Sequence, residues 1–90
     1  MATKYNTVTE TVEAMKFIFD NLKPIYLWLG YADVSYYVKN RTLSGIVTGA
    51  NGEKLSVQKN NYIVKDSLGN ITIWVDDEFK KHFTEVKTSE

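Results

Sequence analysis

The sequence predicts a small α+β domain, a mainly antiparallel β-sheet carrying two short helices. Three observations predict it. From Asp33 onward the chain falls into short alternating or apolar runs separated by turn residues, the pattern of strands. Two segments, Asn21–Gly30 and Asp76–Phe83, instead space apolar residues three and four apart, as a helix does. The 90 residues, 43% of them apolar, suffice for one core and one domain, with the ordered part expected over about 8–86.

Met1–Thr7 and Lys87–Glu90 are polar, and fraying is expected there. Thr11–Phe19 is ambiguous. Val12, Met15 and Phe19 fit a helical stripe, whereas Glu13, Met15, Phe17 and Phe19 fit period 2. The next segment reads as a helix. Asp20 or Asn21 can accept from its first free amides, and Pro24 falls in the first turn, where a missing N–H costs nothing. Leu22, Ile25 or Tyr26, and Leu29 form its apolar stripe, and Gly30 can end it in a left-handed conformation.

The strands follow. Val34, Tyr36 and Val38 alternate with Ser35 and Tyr37. Leu43–Val47 is a second run, in which Gly45 marks a bulge or a close backbone approach. Asn51-Gly52 is a type I′ hairpin signal, and Leu55 and Val57 lie on the return strand. Asn60-Asn61 is a further turn or kink. Tyr62–Lys65 and Ile71–Val75 are strands around Asp66–Asn70, where Gly69 is the expected left-handed residue. Asp76, Asp77 and Glu78 then open a last helix as caps suited to its partial positive charge, and Phe79 and Phe83 dock it on the sheet.

Composition narrows the chemistry. Eleven basic residues balance eleven acidic ones. Gripping nucleic acid through phosphates needs a basic excess, and mimicking DNA needs a dense acidic surface, so neither is expected. The absence of cysteine removes disulfides, thiolate nucleophiles and sulfur-bound zinc. No apolar run approaches the roughly 20 residues of a membrane span, and MATKYNTVTE lacks the apolar stretch of a signal peptide, so a cytoplasmic location is expected. His82 is the only histidine and reads as a solvated residue near a helix end. Asp77, Lys81 and His82 would be the best residues for an enzyme, but no nucleophile pairs with them. The glycines form no phosphate-binding motif. No catalytic residue, metal or cofactor is expected.

The aromatic residues stand out, at 13% of the chain. Core packing accounts for most of them. Trp74 shares a face with Thr72, opposite Ile71 and Ile73. Tyr37 lies opposite Val34, Tyr36 and Val38, and Trp28 is off the stripe of its helix. Such rings can stack on a flat ligand for about 1–3 kcal/mol per base. They can equally anchor a protein interface or cover a second layer of the fold. The pattern leaves all three open.

Residues Asn61–Val86 resemble the end of a PGDYG-like family of small tailed-phage proteins. Its motif, a GDYI-like segment, a glycine turn and a D-x-F-x-K-x-Y/F-x-x-V ending, corresponds to Tyr62, Ile63, Lys65, Gly69, Asp77, Phe79, Lys81, Phe83 and Val86. Upstream, Glu13-Ala14, Asp20-Asn21-Leu22, Leu29-Gly30 and Thr42-Leu43 with Gly45 are similar in order, so the resemblance spans Thr11–Val86. Three departures occur. Lys59-Asn60-Asn61 replaces Pro-Gly-Asp, Lys16-Phe17 replaces Gln-Trp, and Ile73-Trp74 replaces a proline and a cysteine. The resemblance implies that Thr11–Ile18 is a strand, that the protein comes from a phage or prophage, and that it is not an enzyme.

Two mechanisms for blocking a host defence then differ physically. The first, which the neutral charge and the unplaced aromatic residues favour, sequesters a nucleotide-derived immune signal in a pocket at a subunit interface of a homo-oligomer. Tyr37, Trp74 and Trp28 would stack, and Lys65, Arg41 or Lys59 would hold phosphates. It expects Trp74→Ala or Tyr37→Ala to weaken binding with the fold intact. The second covers a host defence protein, such as a CRISPR effector, with an exposed face and no deep pocket. A structural role in the virion is the third alternative.

Overall fold

The computed structural model describes residues 3–6 and 11–85. The expectations for Met1, Ala2, Thr7, Val86 and Lys87–Glu90 lie outside them. Eight strands and two helices follow in order among the described residues. They are β1 (Thr3–Asn6), β2 (Thr11–Lys16), α1 (Leu22–Leu29), β3 (Val34–Lys39), β4 (Thr42–Thr48) and β5 (Lys54–Gln58). β6 (Tyr62–Lys65), β7 (Ile71–Trp74), α2 (Asp76–His82) and β8 (Thr84–Glu85) complete the chain. Single 3-10 turns, Phe19–Asn21 and Tyr31–Asp33, flank α1.

The α+β class is as expected, and every strand pairing is antiparallel, but the strands form two sheets. One has the order β7-β6-β2-β1-β8 and the other is the meander β3-β4-β5. The chain leaves the first sheet after β2, builds the second, and returns at β6. The return is made by a turn at Gln58–Asn61, closed by the Asn61 N–H on the Gln58 carbonyl at 3.0 Å, with Asn60 at φ 73°. Asn side chains tolerate that region better than most, which fits Asn60 to the third position of such a turn.

The expected fraying of Met1–Thr7 needs correction. Thr3–Asn6 is a strand inside the five-stranded sheet, paired with β2 on one side and β8 on the other. Its sequence is polar because its contribution is mostly backbone hydrogen bonds. Tyr5 adds an apolar anchor, its ring edge-on to Phe79 at 4.8 Å.

The two faces of the five-stranded sheet carry two cores. Met15, Phe17 and Ile63 face the second sheet and meet Ile25 of α1 with Val34, Leu43, Val47 and Val57. Val12, Ala14 and Val64 face the other way and are covered by Phe79 of α2. Phe79 stacks on Tyr62 at 3.8 Å, and Phe83 stacks on Phe79 at 4.6 Å, so the expected docking of α2 through these two rings holds.

Neither helix is capped as expected. The Asn21 side chain makes no cap bond and instead donates to the Lys16 carbonyl at 2.9 Å. Val75 occupies the cap position of α2 with no side-chain acceptor. Asp76, inside the helix, pairs with Lys80 at 3.1 Å and Lys16 at 3.7 Å. The three carboxylates still complement the helix dipole from its first turn. Gly30 does take a positive φ, at 97°, but with ψ 139° rather than a left-handed helical value.

The hairpin turns are also redistributed. A type I′ turn needs positive φ at both central residues. Asn40 (53°) and Arg41 (64°) meet that requirement between β3 and β4, whereas at Asn51-Gly52 only Gly52 has positive φ, at 82°. The β4–β5 and β6–β7 turns share one longer design. In each, the fourth residue is a positive-φ glycine whose N–H donates to the first residue's carbonyl at 3.0 Å, Gly52 to Gly49 and Gly69 to Asp66.

Candidate binding surface

The three-stranded sheet has one face in the core and one in solvent. The register puts Tyr36, Gly45 and Val57 in one row on the inner face. Outer-face rows are Ser35, Ile46 and Ser56, then Tyr37, Ser44 and Gln58. Tyr37 is 54% exposed and Ile46 41% exposed. Between Tyr37 and Gln58, Ser44 is nearly buried and donates to Gln58 Oε1 at 2.9 Å. The result is a flat face with a polar ground and two apolar projections.

β3 is also an edge. Lys39 and Thr42 flank the two-residue loop, and the residue pair closing such a loop exchanges both of its backbone hydrogen bonds. Alternation then turns the N–H and C=O groups of Ser35, Tyr37 and Lys39 toward β4. Those of Val34, Tyr36 and Val38 point away from the sheet. Tyr36 (44%) and Val38 (52%) are exposed although they belong to the inner face, because that face runs past the core at the edge. Tyr36 lies 6.1 Å from Tyr26 of α1, which stacks on Tyr31 at 5.0 Å. Burial raises the Tyr26 phenol pKa above its ordinary value, and Tyr36 and Tyr31 add to the rise.

The site residues read from the sequence do not converge. Tyr37 is on the outer face of the small sheet. Trp74 is on the far face of the large sheet, under α2, edge-on to Phe83 at 4.9 Å, with its Nε1–H donating to Thr72 Oγ1 at 2.9 Å. Trp28 is half-buried against the central core, and its Nε1–H donates to Glu13 Oε1 at 3.3 Å. Both tryptophans pack within the fold, the third of the roles that the sequence pattern left open. Arg41 is at the β3–β4 tip and Lys59 in the turn leading to β6.

Lys65 lines two open clefts. One, of about 610 Å³, runs past Lys4, Thr11, Glu13 and the Asp66–Gly69 turn. The other, of about 390 Å³, runs past Leu29, Asp33, the Gly49–Gly52 turn and Ile71. No aromatic ring lines either cleft. Asp66 belongs to its own turn: its Oδ1 accepts from the N–H groups of Leu68 and Asn70 at 2.9 Å each. Those bonds, that of Asn70 first, hold its carboxyl below the usual pKa.

His82 lies 3.6 Å from Glu78 and faces Trp74 at 5.6 Å, on the exposed side of α2. Lys81 also pairs with Glu78, at 3.6 Å. Among the described residues no three of His, Asp and Glu gather closely enough to share a metal ion. Among the described residues no helix is long and apolar enough to cross a membrane.

Sequence reasoning missed Ile46, Tyr36 and Val38. The signal for Ile46 was available, since it alternates with Leu43, Gly45 and Val47. The exposure of Tyr36 and Val38 depends on β3 being an edge, which strand pattern does not encode. No protein-family model, curated protein or solved structure matches the chain.

Proposed function

We propose that this chain is a non-enzymatic, phage-encoded binding protein that antagonises a bacterial host defence system in the host cytoplasm by covering a defence protein. The outer face of β3-β4-β5 is its working surface. The carrying observation is the pair of apolar side chains, Tyr37 and Ile46, held on an otherwise polar face that no layer of the described residues covers. Aromatic and apolar anchors inside a polar rim are the composition of a protein-binding patch. The phage setting comes from the family resemblance, and the defence target from the common role of small non-catalytic phage proteins; the surface comes from the geometry.

Sequestration of a nucleotide-derived signal is the second reading. It draws on the 610 Å³ cleft, within the usual size of a small-molecule site, and on Lys4 and Lys65 beside it. It has no ring to stack on the base, because Tyr37, Trp28 and Trp74 lie on other surfaces.

Phage plating on bacteria that carry a defence system tests the proposal. The wild-type chain is expected to restore plating, and Tyr37→Ser with Ile46→Lys to abolish it without changing thermal unfolding. Restoration by the double variant, with calorimetric binding of cyclic oligonucleotides that Lys65→Glu removes, would replace the proposal with the second reading. Copurification with intact particles would point to the virion instead.

A further inference from the structure

We infer that β3 pairs with β3 of a second copy, antiparallel and centred on Tyr36, to make a dimer with one continuous six-stranded sheet. The inference is independent of what the outer face binds.

The free edge selects both the partner and the register. Val34, Tyr36 and Val38 offer their backbone groups outward, and an exposed row of this kind is a template for another strand. A two-fold axis through the sheet keeps the inner faces of both copies on one side, so paired residues must have the same parity. Centring on Tyr36 pairs Tyr36 with itself and Val34 with Val38 of the second copy. All six outward N–H groups and all six outward C=O groups of the two strands are then used. Centring on Tyr37 leaves the outward groups of Val34 beyond the end of the partner strand.

Charge selects the same register. Asp33 immediately precedes the strand and Lys39 ends it. Among the described residues neither has an ion pair. Centring on Tyr36 sets Asp33 of one copy opposite Lys39 of the other, twice per dimer. Opposite charges directly across an antiparallel pair are favourable and like charges are not. Side chains agree. On the inner face, Val34 meets Val38, which is 52% exposed in the single chain. On the outer face, Tyr37 meets Ser35, which leaves its ring free. The pairing is isologous and uses the β3 edge of both copies, so it closes at two. A single strand pair lies at the small end of specific interfaces, below about 1,200 Å², so a micromolar dimer is expected.

Sedimentation of the full chain over a concentration series tests this. The wild-type protein is expected to pass from monomer to dimer in the micromolar range. Lys39→Asp alone and Asp33→Lys alone should each weaken the dimer about tenfold, and the two together should restore it. Val38→Pro removes an outward N–H that no bond among the described residues uses, and should abolish the dimer. A chain that stays monomeric up to about 1 mM would overturn the inference, since no specific interface of this size class would then exist. So would a dimer indifferent to all of these changes, which must form elsewhere. A monomer whose Val34, Tyr36 and Val38 amides become protected only on adding a host protein would give the edge to a foreign strand and likewise overturn self-pairing.

Discussion

The ring of Phe17 lies against Gly45. A Cβ at residue 45 would stand 2.8 Å from Phe17 Cζ and 2.6 Å from the Ser35 carbonyl oxygen. Both contacts are far inside ordinary van der Waals distance, and one of them is to backbone. Phe17 is fully buried in the core that the small sheet covers. Gly45→Ala is therefore expected to destabilise the fold by about 1–3 kcal/mol, as overpacking does. Phe17→Ala should cost about 3–5 kcal/mol through the cavity it leaves. Urea unfolding measures both. The double variant Gly45→Ala with Phe17→Leu should recover only part of the Gly45→Ala loss, because the clash with the Ser35 carbonyl remains.

Gly52 and Gly69 test a different cost. Both have positive φ, 82° and 85°, and a Cβ would meet nothing within 4 Å at either. Only the backbone conformation resists a side chain. Alanine at either position should cost about 1 kcal/mol, and asparagine clearly less, since its side chain tolerates that region. Equal losses for the two residue types would mean that packing, not φ, requires glycine there.

These glycines also show how far the sequence could be read. Gly69 in its turn and the close approach at Gly45 were legible, because each breaks an otherwise apolar or polar run. The Asn40-Arg41 turn was not, because arginine at positive φ follows no local preference and is imposed by β3 pairing with β4. Thr3–Asn6 was not legible as a strand, because a strand held by backbone bonds on both sides needs little apolar sequence. The positions of Trp28 and Trp74 could be read as faces. What covered those faces, the core for one and α2 for the other, depended on tertiary packing that alternation does not carry.

Arg41→Gly gives a prediction of opposite sign. It would relieve a left-handed residue, at φ 64°, in a turn that favours Asn-Gly. The relief of about 1–2 kcal/mol exceeds the added entropy of the unfolded glycine, so a net gain of about 0.5–1 kcal/mol is expected by chemical denaturation. If Arg41 also touches a partner, the same variant will bind less well while melting at a higher temperature.

Stability should fall at both ends of the pH range for identifiable reasons. The Asp66 carboxyl is held below its ordinary pKa by the Asn70 and Leu68 amides, and that of Asp76 by Lys80 and Lys16. Each contributes stability that is complete above the unfolded carboxylate pKa of about 3.9 and is lost as pH drops through the lower folded value. Lys80, paired with Asp76, is shifted upward. Its contribution is complete below the unfolded lysine pKa of about 10.4 and is lost as pH rises through the higher folded value. Thermal melts against pH should show Asp66→Asn flattening the acid limb alone. Asp76→Asn should flatten both limbs, because it removes the partner of Lys80. An unchanged alkaline limb in Asp76→Asn would mean that the 3.1 Å ion pair does not persist in solution.

Tyr37 and Trp74 are both aromatic residues on outward faces of their sheets, but they should behave in opposite ways. Trp74 is packed against Phe83 and bonded to Thr72, so Trp74→Ala removes half-buried area and loosens α2, at a cost of about 2 kcal/mol. Tyr37 is 54% exposed on the outer face of the small sheet, so Tyr37→Ala should change stability by no more than about 0.5 kcal/mol. Any loss of activity in Tyr37→Ala then reports on binding directly. The same loss in Trp74→Ala must first be corrected for unfolding. If Tyr37→Ala instead unfolds the chain, the outer face is structural, and the working surface proposed for this protein is in the wrong place.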